Sequence, residues 1–331
     1  MDQFFTVFIT VFTLLLLAIP GFVLTKTKII GKGAENTISG IVLYAAQPAM
    51  VFMSFQKKFE TEIALNMLVV AGVTLGIHLI MIGLMFLVIR NKDKQARSNC
   101  VRFASVFSNC GYMGLPFLRM LFGENNTEIL IYAAVVIAVF NLVTWSLGVF
   151  MMTGDKKSMS PKKALLNPTT ICVFLGLIVF LSVRTPFATL AVGTALEEFV
   201  SKLMSALNVI GDLVTPLSMI LIGCKLANVK LRQLFLDKWA YLSCFFKLIV
   251  MAFVSMLSVA FLPVSPTVKY AIVFLLSMPS ATATVLFAVR FGGDGEFASA
   301  SVLLSTILSV ITIPLIFIIF QQVFGIPPIT M

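Results

Sequence analysis

Charge is what this sequence has least of. Asp, Glu, Lys and Arg supply 11% of its 331 residues, where a soluble domain carries about 25%. Hydrophobic residues make up 59%, and mean hydropathy is +1.04. That balance excludes a soluble globule and places the chain among all-α polytopic membrane proteins. Histidine is nearly absent: His78 stands alone, so no metal site of the usual type and no cofactor is expected. The five cysteines (Cys100, Cys110, Cys172, Cys224, Cys244) contain no CxxC pair. They read as small apolar packing residues, with no disulfide framework. There is no G-x-x-x-x-G-K-[ST] loop, which excludes an ATP-driven pump as a single chain. The net charge of +10 is confined largely to short loops, where it acts as an orientation signal, so nucleic acid is not an expected partner.

What the chain does have is long apolar runs. A span needs about 20 such residues. Ten candidates occur, at 4–25, 36–55, 63–89, 99–122, 128–152, 168–190, 205–227, 237–262, 267–291 and 297–323. The opening MDQFF has no basic n-region and no A-x-A site follows, so the first run reads as an uncleaved span. The stretch 153–167, TGDKKSMSPKKALLN, is hydrophilic and separates residues 1–152 from 168–331. Ala191–Lys202, with Glu197 and Glu198, reads as an amphipathic surface turn.

Basic residues alternate by loop. Lys26, Lys28 and Lys32 follow the first span. Arg90, Lys92, Lys94, Arg97 and Arg102 surround the join of the third and fourth. Lys156, Lys157, Lys162 and Lys163 follow the fifth, and Lys225, Lys230, Arg232 and Lys238 the seventh. On the opposite loops Lys57 and Lys58 are balanced by Glu60 and Glu62, and Arg119 by Glu124 and Glu128. The positive-inside rule then puts both termini outside a plasma membrane.

Five spans on each side of the central linker predict an inverted repeat, because an odd number per half reverses orientation. Residues match at an offset of about 168–169: Phe122-Gly123 with Phe291-Gly292, Pro48 with Pro216, His78 with Lys247. Both the fourth and ninth spans carry helix breakers. The fourth has Ser108, Asn109, Gly111, Gly114 and Pro116 in SNCGYMGLP; the ninth has Ser277, Pro279 and Ser280 in SMPSAT. One reading is a pair of discontinuous helices whose half-helix N-termini hold an anion near the midplane. The other is a Pro kink with small residues for close packing.

Ionisable groups at bilayer depth are functional candidates. Lys247 lies mid-span, either a counter-charge for an anion or half of an ion pair with Asp212. Asp212 is read as its resting partner or a gate, and His78 as a titrating or simply hydrogen-bonded group. Asn141 and Gln47 read as interhelical glue.

The run Asn109-Cys110-Gly111-Tyr112-Met113-Gly114-Leu115-Pro116 resembles the fourth-span signature of the auxin efflux carrier family, within the bile acid/arsenite/riboflavin transporter superfamily. Asn167-Pro168 resembles that family's Asn-Pro motif. The resemblance implies ten helices as two inverted five-helix repeats with crossing helices 4 and 9. It implies a scaffold of spans 1, 2, 6 and 7 that often dimerises, so a homodimer is expected. Spans 3–5 and 8–10 would form an elevator-type transport domain. It carries over Asn109 as the crossover asparagine, Pro116 as the breaker and Pro279 as the second breaker. Sodium-coupled cousins carry an acidic residue at the second crossover; SMPSATATVLF has none. The expected substrate is a small organic anion, a mono- or dicarboxylate. Rival readings are a carrier for a neutral or aromatic substrate and a membrane-embedded sensor. An enzyme is not expected, since Ser277, Ser280 and His78 lie on different spans without a GxSxG context.

Overall fold

The structure is a computed structural model that describes residues 2–31, 33–90, 95–123, 126–228 and 237–325. Lys32, Lys92, Lys94, Glu124, Lys230 and Arg232, which entered the loop-charge pattern, lie outside the described residues. The described residues are helical throughout, joined by turns and one isolated β-bridge.

Among the described residues seven helices are long and apolar enough to cross a membrane: α1 (Phe4–Lys26), α2 (Ala34–Ser54), α3 (Thr61–Val88), α6 (Glu128–Thr153), α8 (Glu197–Asn228), α9 (Lys238–Ala260) and α12 (Gly295–Phe324). An eighth, α7 (Pro168–Ser182), qualifies with the short helix Lys156–Leu165, from which it bends by 47°. The remaining two apolar runs are each cut in half. The run at 99–122 becomes α4 (Gln95–Val106) and α5 (Leu115–Phe122). The run at 267–291 becomes α10 (Pro266–Ser277) and α11 (Ala283–Arg290). Each half is too short to span alone, and each cut falls on a breaker cluster.

The helix starts are chemically marked. Asn167 caps α7 by accepting from the Thr169 N–H (3.0 Å), and Pro168 fills the first turn, where its missing N–H costs nothing. The Asn-Pro pair is thus a helix-start device. Asp237 and Asp294 cap α9 and α12 in the same way. Arg97 of α4 pairs with both caps, tying three helix starts together at one end of the bundle. One expectation needs correction: Glu197 and Glu198 do not lie in a surface turn. They form the first turn of α8, where acidic residues favour the helix dipole, and Glu198 pairs with Lys202.

Glycine sets how closely some helices approach. A Cβ on Gly21 of α1 would stand 2.0 Å from the Ile220 carbonyl oxygen, and one on Gly223 of α8 would stand 1.8 Å from the Ala18 oxygen. These two helices therefore meet backbone to backbone, the small-residue packing that membranes favour. α2 packs on α7 and α8 through Phe55 against Gly176 and Met50 against Gly211. Asn141 of α6 donates to Thr170 of α7 (3.1 Å), an interhelical bond of the expected kind.

Gly223→Leu should cost about 3 kcal/mol or more through overpacking, whereas Gly83→Ala, with open space around it, should leave stability within about 1 kcal/mol. Thermal denaturation in detergent checks both; equal melting temperatures would contradict the backbone contact.

Candidate functional site

The two breaks cross and pair. Asn109 N–H donates to the Pro279 carbonyl and Ala281 N–H to the Phe107 carbonyl, both at 2.8 Å. These bonds form an antiparallel bridge between Ser108 and Ser280. Unwound backbone in a membrane must find partners within the protein, and here each break satisfies the other.

The side chains repeat the reciprocity. Ser108 Oγ donates to the Leu276 carbonyl (2.9 Å), and Ser280 Oγ donates to the Ala104 carbonyl (2.8 Å). Each serine thus covers a free carbonyl near the C-terminal end of the opposite half-helix, four residues before the other serine. Ser280 N–H is taken by Ser305 Oγ of α12 (3.0 Å). Gly111 and Gly114 allow close approach: a Cβ would meet Gln47 Nε2 at 2.9 Å and Leu275 Cδ2 at 2.5 Å, respectively. The second half-helix starts at Cys110 with a π-helical turn that runs directly into α5, so Pro116 is the seventh residue of the helical stretch 110–122, where it removes one N–H from the ladder. Residues 110–114 form a π-helical turn, as do 42–46, 144–148 and 246–250, the last containing Lys247. Such turns widen a helix locally and recur at functional positions.

Lys247 is fully buried, and its Nζ donates to Ser108 Oγ (2.5 Å) and to the Leu276 carbonyl (2.7 Å). It does not pair with Asp212. Asp212 pairs instead with Arg119 of α5, its carboxyl half-exposed at 52%, so its reading as the Lys247 partner is corrected. His78 is fully buried beside the Phe107 and Phe140 rings. Its Nδ1 meets the Thr74 carbonyl oxygen (2.7 Å), and its Nε2 has no partner among the described residues. Ser277 is equally buried, with its hydroxyl unpartnered.

A cavity of about 330 Å³ adjoins the crossing. Asn109 stands on its wall with Thr282, facing α8 and α12. Asn109 is 3% exposed, and its Nδ2 has no hydrogen-bond partner among the described residues. An unpaired buried amide donor costs about 1–3 kcal/mol, so an acceptor on a bound molecule would be stabilised here. Lys225 of α8 lines the cavity too, with Thr306 and Ser299 of α12 and apolar Ile222, Val285 and Leu303. Glu35, Asn228 and Glu296 complete the lining, and the side chains of Glu35 and Asn228 are hydrogen-bonded.

Of the expected binding residues, Asn109 is therefore on the wall. Ser108, Ser280, Pro279, Gly111, Pro116, Ser277 and Lys247 are not among the lining residues; most of them build the crossing behind it. Lys225 was overlooked because it read as a loop charge, though it lies on the last turn of α8. Its signal was a lysine four residues after Leu221 at the end of an unbroken apolar helix.

A cavity beside paired helix breaks, inside a bundle of helices apolar and long enough to span a membrane, is the architecture of an integral membrane protein. The family model described as membrane transport protein matches residues 6–162 and 154–317. The chain belongs to that family, the auxin efflux carriers whose motifs it bears. It is similar to an uncharacterized transporter of Methanocaldococcus jannaschii, 22% identical over 310 residues, covering 92% of this chain and 96% of that protein. A second uncharacterized transporter, from Methanothermobacter thermautotrophicus, is 24% identical with the same coverage. The family, with the names these relatives carry, places the chain among membrane transport proteins.

Ser280→Ala should lower stability by about 1–3 kcal/mol, since it strips the Ala104 carbonyl of a buried partner. Asp212→Asn should cost under about 1 kcal/mol, because its pair is half-exposed. Chemical denaturation of both variants checks the order; the reverse order would contradict the assignment.

Proposed function

We propose that this chain is a secondary transporter of small organic anions, moving a mono- or dicarboxylate by alternating access. The observation that carries the reading is Asn109: a buried amide with a free N–H donor, on a cavity wall that also holds the Lys225 ammonium. An amide donor and a cation are what a carboxylate needs; the half-helix that starts just after Asn109 adds the positive end of a dipole. The apolar remainder of the wall suits a short carbon skeleton.

The mutual covering of Leu276 and Ala104 by Ser108 and Ser280 supports ten spans in two inverted repeats. In that arrangement α1, α2, α7 and α8 form the scaffold, through which two copies dimerise. The other helices form the unit that moves elevator-fashion, with the Arg119–Asp212 pair between the two. The cavity mouth, edged by Glu35, Asn228 and Glu296, belongs to the loop-rich basic side, so this conformation faces the cytoplasm with both termini outside.

The test is uptake of radiolabelled malate, malonate, lactate and indole-3-acetate into proteoliposomes, with charge movement recorded in parallel. Saturable uptake of one acid should be abolished by Asn109→Ala. Lys225→Met should raise its KM by about tenfold or more, the worth of one lost charge-assisted hydrogen bond. Uptake indifferent to both substitutions would overturn the anion site. Uptake of uncharged analogues alone would favour a neutral substrate.

A further inference from the structure

We infer that the Lys247 ammonium fills a monovalent-cation site at the helix crossing, so that the chain carries there, covalently, the cation that a helix break would otherwise take from solution.

The ligands are those of a cation site. Lys247 Nζ meets one hydroxyl oxygen, Ser108 Oγ, and one backbone carbonyl, Leu276 O. Leu276 lies in the last turn of α10, where carbonyls lack helical partners and the dipole is negative. Carbonyls at the C-terminal ends of broken helices, with neighbouring side-chain oxygens, are a recurrent means of holding sodium in membrane carriers. The adjacent Ser277 hydroxyl is buried and unpartnered, a further oxygen in the same short segment.

No carboxylate among the described residues pairs with Lys247. The titratable groups that face it are His78 on α3 and Cys110 after the first break. α4, α10 and α12, also packed on its turn, bring no charged side chain to it. The helix end thus supplies the negative potential itself.

The crossing contains its own control. Ala104 O, at the end of the opposite half-helix, is covered by Ser280 Oγ alone, with no ammonium. A hydroxyl is therefore enough to close the backbone there. A buried ammonium costs several kcal/mol at bilayer depth, and an amide side chain supplies N–H donors without that cost. The positive charge is what distinguishes the Lys247 side, and it is the property a bound ion would share.

The experiment reads cation-specific stability, so it is independent of any substrate. Purified wild type and Lys247→Ala are melted in choline chloride and in sodium, lithium or potassium chloride at matched ionic strength. Wild type should not distinguish these salts. Lys247→Ala should melt lower in choline and recover saturably in sodium or lithium. At about ten times the dissociation constant the folded-to-unfolded ratio rises about tenfold. The recovery should vanish when Ser108→Ala is added. A variant equally unstable in every salt overturns the inference, as does a saturable sodium response in wild type that Lys247→Ala abolishes. Should Lys247→Ala fail to fold in choline, extraction is repeated in sodium. Monodisperse protein from sodium alone supports the site; none from either salt overturns it. Failure here leaves the anion reading at Asn109 and Lys225 untouched, because neither residue is varied.

Discussion

The structure depends on one constraint: backbone groups freed inside a membrane must be paired within the protein. Two apolar runs are broken inside the helical bundle, and each break is closed by the other. Two N–H···O bonds form the bridge, and two serines cover the carbonyls that the half-helices leave open. Everything local follows from keeping that bridge together. Glycines let the halves approach, and Ser305 holds the remaining N–H of Ser280. A single break would have left polar backbone facing hydrocarbon; a crossed pair turns the same defect into a rigid polar centre.

That centre is almost saturated, which gives the exceptions their meaning. The Asn109 side-chain N–H is free on a cavity wall. The Lys247 ammonium, by contrast, is committed to the crossing and withdrawn from the cavity. Two positive or donor groups that look equivalent along the chain thus serve different ends. One is left available, and the other is consumed by the architecture. Lys225, on a neighbouring helix, supplies the positive charge of a cavity whose lining also holds Glu35 and Glu296.

Much of this was legible in the sequence. Apolar length marked the spans, and clusters of serine, asparagine, glycine and proline inside apolar runs marked both breaks, although proline also lies within α1, α2, α8 and α12, which stay continuous. The start of α8 was misjudged by several residues, since Glu197, Glu198 and Lys202 depress hydropathy while their i,i+4 pair supports a helix. The partners of charged groups were not legible. Arg119 with Asp212, and Lys247 with Leu276, meet only when distant spans pack. Lys225 failed for the same reason: whether a lysine at a helix end faces water or a cavity depends on helices far along the chain.

The close approach of α1 and α8 at Gly21 and Gly223 has a consequence for how the protein is made. α1 leaves the ribosome before α8, yet the two pack closely, and Cys224 Sγ, 203 residues further on, reaches the Gly21 carbonyl. At synthesis rates of about 5–20 residues per second, that interval is roughly 10–40 s. During it the first helix must stay inserted without its partner, its glycine notch open to lipid. The N-terminal half therefore cannot finish assembling before the C-terminal half arrives, and the order of synthesis differs from the order of docking.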